Sequence, residues 1–88
     1  MIKIVRAEVI ANHMMRLEFS DGSMGEYNLE ELIRRNTEMV RPLADPDYFA
    51  GFFLELGALC WPNGFALSAP GIHRRLSDQG VLKRVDAA

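Results

Sequence analysis

Cysteine is nearly absent from this chain, and two classes of chemistry go with it. Cys60 is the only cysteine in 88 residues, which excludes an intramolecular disulfide and any multi-cysteine metal site and makes a reducing compartment, the cytoplasm, the expected location. Histidine is almost as scarce. His13 and His73 stand far apart with no ligand-spaced His, Cys or acidic neighbour, so both read as surface histidines and no metal or cofactor is expected. A dominant charge is lacking too. The formal charge is -2, so no global field draws the chain toward phosphate backbones, and nucleic acid would need a local patch. Long apolar runs are missing: Lys3, Arg6 and Glu8 interrupt Ile2 to Ile10, which argues against a signal peptide, a spanning helix or membrane attachment. There is no internal repeat and no low-complexity linker.

Catalytic spacing is the last absence. No nucleophile stands with a base, and no phosphate loop or acid–base pair can be assembled, so an enzyme is not expected. Cys60 lies between Leu59 and Trp61 in an apolar strand, where cysteine packs as a small hydrophobe. Asp45 and Asp47 flank Pro46 and read as a helix start rather than as paired catalytic carboxylates.

What is present is ordinary globular material. Apolar residues make up 49% and charged residues 25%, and 88 residues give room for one core, so residues 1–88 form a single domain. Lys3, Val5, Ala7 and Val9 form the more apolar face of a first strand. After a turn at Asn12-His13, Met15, Leu17 and Phe19 alternate with Met14, Arg16 and Glu18 at the period of two of a half-buried strand. Ser20-Asp21-Gly22-Ser23 is a reversal into a third strand over Met24 to Tyr27. Asn28 and Glu31 have capping-box spacing ahead of a helix whose apolar side is Leu29, Leu32 and Ile33 and which ends at Asn36. Val40 and Leu43 read as buried anchors, and Asp45-Pro46 opens a short helix carrying Tyr48 and Phe49.

The densest information lies between Gly57 and Leu67. A strand over Phe52 to Leu56 reverses near Gly57 into Leu59 to Trp61, and Pro62-Asn63-Gly64 turns the chain again toward Phe65 and Leu67. Ser68 then caps a third helix, with Pro70 in its first turn and Ile72 and Leu76 facing the core. Residues 81–88 read as a flexible or partner-binding tail that frays from Val85. The fold class is α+β: a three-stranded antiparallel meander, a helix, a short helix, a second β-hairpin and a C-terminal helix.

In order, Phe19-Ser20-Asp21-Gly22, Asn28-Leu29-Glu30-Glu31-Leu32, Pro42-Leu43 with Asp45-Pro46 and Phe49, then Gly57 with Trp61-Pro62-Asn63-Gly64, resemble a family of short bacterial proteins known only as domain of unknown function 2442. The resemblance covers roughly residues 2–76 and implies a compact α+β domain, alone or joined to a helix-turn-helix, with no established activity or cofactor. It also implies a binding role of the kind seen in toxin–antitoxin pairs. Two features depart from the family's pattern. Ala66 stands where an acidic residue often follows the tryptophan-containing turn, and no helix-turn-helix follows Ala88, so the resemblance does not imply direct DNA reading.

Tyr48, Phe49, Phe52, Phe53, Trp61 and Phe65 are many rings for so small an interior. Trp61 either closes the core through its indole N–H or stands outside as a partner's anchor. The expected function is a non-enzymatic protein-interaction module, self-associating or holding a small protein partner, with Trp61, Asn63, Phe65, Tyr48 and Phe53 as its contact residues. The alternative is a nucleic-acid-associated regulator using Arg74, Arg75, Lys83 and Arg84, a stripe that Glu30, Glu31 and Asp78 dilute.

Overall fold

Alternation in the second strand organises the structure. The computed structural model describes residues 1–85, and in it β1 (Ile4–Ala11), β2 (Met14–Phe19) and β3 (Ser23–Asn28) form the expected antiparallel meander. Met15, Leu17 and Phe19 are sealed on its inner face. A two-residue strand, β7 (Lys83–Arg84), adds to β3, giving the order β1-β2-β3-β7. A second sheet holds β4 (Phe53–Glu55), β5 (Ala58–Cys60) and β6 (Ala66–Leu67) in chain order. Helix α1 (Glu30–Arg34), a 3-10 turn at Arg41–Ala44 and helix α2 (Pro46–Phe49) link the two sheets, and α3 (Ala69–Asp78) follows the second. Among the described residues, no helix is long and apolar enough to cross a membrane.

One core serves all of these elements. Ile4, the three β2 residues, Leu29, Leu43, Phe49, Leu59, Trp61, Ala69, Ile72 and Leu76 form a single buried cluster. Val40 is buried as well. Ser68 caps α3 as its sequence requires, its Oγ accepting from the Gly71 amide at 3.3 Å. Gly25 lets α3 approach β3 closely: a Cβ there would lie 3.1 Å from Leu76 and 3.2 Å from Leu82.

Four local expectations are corrected. In β1 the register shifts between Ile4 and Arg6 and again between Val9 and Ala11. These bulges put Ile4 opposite Phe19 in the core and leave Val5 58% and Val9 38% exposed, so the apolar face does not run cleanly along Lys3, Val5, Ala7 and Val9. The capping box at α1 does not close. Asn28 Oδ1 accepts from the Glu30 amide at 2.9 Å, while Glu31 turns to Arg35 and Arg75. Asp45 occupies the cap position of α2, yet it is its main-chain carbonyl, not its carboxylate, that accepts from the Phe49 amide. The tail is held as far as Val85: β7 pairs with β3, and the Val85 amide donates to the Gly22 carbonyl at 2.8 Å. The remainder of the expected fraying tail, residues 86–88, lies outside the described residues.

Candidate functional site

The sites named from sequence separate in space. Trp61 is 1% exposed, and its indole Nε1 donates to the Phe49 carbonyl at 3.0 Å, so it closes the core and presents nothing to a partner. Asn63 pins the turn: its amide nitrogen donates to the Met39 carbonyl, its oxygen accepts from the Phe65 amide, and its main-chain N–H donates to Tyr48 Oη. Phe65 packs beside Trp61 at a centroid distance of 5.9 Å. Tyr48, Phe52 and Phe65 are half-buried, and Phe53 alone among the six central rings is exposed. The surplus of rings is therefore enclosed only in part: Phe49 and Trp61 are sealed, three rings are half-buried, and Phe53 stays 43% exposed. Cys60 is half-buried.

The histidines are not the loose surface groups expected. His13 Nδ1 is 3.0 Å from Glu30 Oε1 and its ring meets Phe49 edge-on, with Nε2 buried and without a hydrogen-bond partner among the described residues. His73 Nε2 is 2.9 Å from Asp21 Oδ2. Asp21 is a hub: its Oδ1 accepts from the amide and hydroxyl of Ser23, and its carbonyl accepts from Arg84. The Ser23 hydroxyl, against an opposing effect of burial, and then the Ser23 amide and His73, hold the Asp21 carboxyl at about 2, against an ordinary 3.8. Among the described residues, no group of three or more His, Cys, Asp or Glu converges as a metal site.

What the structure does build is a groove along the edge of β3. The Ser20 amide donates to the Lys3 carbonyl, so Ser20 and the even-numbered residues of β2 turn their main-chain groups toward β1, and the odd ones turn toward β3. Gly25 and Tyr27, opposite Leu17 and Met15, therefore bond to β2, and Met24, Glu26 and Asn28 point the other way. β7 covers this outer edge at Ser23 and Met24 and stops there. Beyond it, the outward N–H and C=O groups of Glu26 and Asn28 open on a cavity of about 920 Å³. Met14, Met24 and Gly25 lie along its floor, Glu30, Glu31 and Arg34 of α1 form one wall, and Arg75 and Gln79 of α3 form the other. Val81, 40% exposed, stands at the lip.

Charge in the groove is uneven once its internal pairs are removed. Glu26 pairs with Arg16 at 3.6 Å, Glu31 with Arg75 at 3.7 Å, and Glu30 with His13 at 3.0 Å. Arg34 and Lys83 have no such partner among the described residues, so the unspent charge is positive. Burial raises the Tyr27 phenol above its ordinary value, with Arg75 and Arg35 opposing. Of the expected basic stripe, Arg75 and Lys83 line this groove, Arg74 is exposed on α3, and Arg84 faces the Asp21 reversal. Arg16, Glu26 and Gly25 were not singled out from sequence. A glycine inside a strand pattern was the one available sign, since it marks close approach of a neighbour.

Residues 4–76 match the sequence family described as protein of unknown function (DUF2442). The chain belongs to the DUF2442 family. No curated protein and no solved structure is detectably similar to it. The DUF2442 match spans the meander, both linking helices, the second sheet and α3 through Leu76. Of the groove's lining, Gln79, Gly80, Val81 and Lys83 lie past the matched segment.

Proposed function

We propose that this DUF2442 chain is a non-enzymatic, cytoplasmic protein-interaction module that receives an extended, acidic segment of a small protein partner along β3. The other member of a toxin–antitoxin-like pair is the kind of partner intended. One observation carries the reading: main-chain donors and acceptors at Glu26 and Asn28 face a walled groove at the point where β7 ends. A strand entering there gains ladder hydrogen bonds from the backbone and side-chain discrimination from the walls. Arg34 and Lys83 select acidic residues, since neither is paired with an acid among the described residues and the groove's bases outnumber its acids.

The test is an NMR titration with a short peptide alternating glutamate and valine, against its lysine counterpart. The acidic peptide is expected to move the amides of Glu26, Asn28 and Lys83, and Lys83→Glu with Arg34→Glu is expected to weaken it about tenfold or more, each lost charged hydrogen bond being worth about 1.5–3 kcal/mol. Equal response to both peptides, or shifts confined to other strands, would refute strand addition here. The regulator reading rests on Arg75 and Lys83 sharing one groove, but Arg75 is paired with Glu31 there, and Arg74 and Arg84 of the same stripe do not line it. Duplex DNA that binds at low salt, moves these amides and is released by added salt would favour it instead.

A further inference from the structure

The opposite edge of the same sheet carries a different pattern. β1 is an edge strand of eight residues, covered at its start by the β4–β5 reversal, where the Ile4 amide donates to the Gly57 carbonyl at 2.9 Å. Past that bond the edge is open among the described residues. Arg6 and Glu8 lie opposite Glu18 and Arg16, whose main-chain groups turn toward β1, so Ala7 between them turns its N–H and C=O outward. Val5 and Val9 flank this point, both exposed.

We propose that β1 pairs antiparallel with β1 of a second copy, about a twofold axis through Ala7. Only registers that align outward-facing residues are open to it. Centring the axis on Glu8 would set Glu8 against itself, and centring it on Val9 would leave Glu8 facing Ile10. The axis at Ala7 places Arg6 opposite Glu8 of the second copy twice over and sets Val5 beside the second copy's Val9. Charge complementarity selects this register.

The complementarity extends across both sheets. In one copy Glu26, Arg16 and Glu8 lie in a row across β3, β2 and β1, with Arg16 to Glu8 at 3.3 Å and Arg16 to Glu26 at 3.6 Å. Arg6 and Glu18 lie in the next row, 3.9 Å apart. Joined at the axis, the first row of one copy runs into the second row of the other as Glu26, Arg16, Glu8, Arg6, Glu18, alternating in sign at every step. The bulges at either end confine regular pairing to this short segment. So small a contact belongs to the weak class of interfaces, and the dimer is expected to assemble between about 10 µM and 1 mM.

Sedimentation equilibrium across that range tests the proposal on the intact chain. Arg6→Glu and Glu8→Arg should each be monomeric, since each sets like charges opposite one another. Mixed in equal amounts they should associate again, because the Arg6→Glu copy offers two acids to the two bases of the other. Ala7→Pro, tolerated on an open edge but lacking the outward N–H, should weaken dimerisation about tenfold or more while leaving the circular dichroism spectrum unchanged. A wild-type chain monomeric throughout, a dimer indifferent to Ala7→Pro, or no recovery in the mixture would overturn it. Because the acidic peptide binds the far edge, neither result decides the other.

Discussion

Leu56 is the residue whose replacement most directly tests how this fold stores strain. Glu55 pairs with Ala58, leaving Leu56 and Gly57 as a two-residue loop with φ of 53° and 83°. Positive φ at both loop positions is the signature of a type I′ hairpin, which favours Asn-Gly because a branched side chain in the left-handed region crowds its own carbonyl. That crowding costs roughly 1–2 kcal/mol for an ordinary residue and less for asparagine. Leu56 recovers none of it by packing, being 92% exposed. Leu56→Asn should therefore stabilise the fold by about 1 kcal/mol, raising Tm by roughly 4–8 °C in a domain of this size. The urea midpoint should rise by about 0.5 M with the slope unchanged. Gly57→Ala is the contrasting variant: its Cβ would fall 2.5 Å from Lys3 Cβ, in a left-handed conformation, and it should destabilise strongly. A Leu56→Asn protein no more stable than the wild type would refute the assignment of strain to this turn.

Two further outcomes follow from the buried polar contacts. Trp61→Phe removes the indole donor from the Phe49 carbonyl inside the core, leaving a buried acceptor unmet and a void beside it. A loss of about 3 kcal/mol is expected, seen in thermal unfolding as a fall of more than about 10 °C. Asp21 gives a pH dependence of defined sign. Its folded value of about 2 lies below the ordinary 3.8, so its stabilising contribution is complete above 3.8 and is lost as pH falls through about 2. Urea midpoints of wild type and Asp21→Asn should differ by a constant amount above pH 3.8 and converge as pH approaches 2. A gap that widens on acidification would contradict this.

The sequence made legible those parts whose cause is local. Met15, Leu17 and Phe19 point inward because a strand alternates, and Ser68 caps α3 because a hydroxyl there reaches the Gly71 amide. The β1 face was misread because a bulge leaves no mark in the pattern of side chains: inserting one residue into the pairing moves Ile4 into the core without altering the apparent period. β7 was missed because two residues carry no periodicity, and its place depends on Arg84 and Val85 reaching the Asp21–Gly22 reversal. The ring surplus was legible in part: Phe53 stays 43% exposed, while Trp61 closes the core and Asn63 draws Tyr48 and the Met39 carbonyl over the hairpin. The groove was illegible for a stronger reason. Arg16, Glu26, Arg34, Arg75 and Lys83 come from five elements, and only the packed fold makes them neighbours.

Both proposals place recognition at unfinished sheet edges rather than at exposed rings. An edge left open invites pairing with any chain, and proteins limit the hazard with short strands and bulges. Here both devices are present and each leaves a remainder: β7 is too short to cover Glu26 and Asn28, and the bulges of β1 spare Ala7 between two opposite charges. The remainders differ chemically, one walled and lined by an excess of bases, the other carrying one acid and one base on either side of Ala7. Asp21 sets the length of the first, because its carbonyl and the adjacent Gly22 carbonyl hold Arg84 and Val85 in place. Loosening that reversal would free β7 and extend the open edge of β3 back to Ser23, so if strand addition occurs as proposed, a substitution at the end of β3 opposite α1 should lengthen the segment bound.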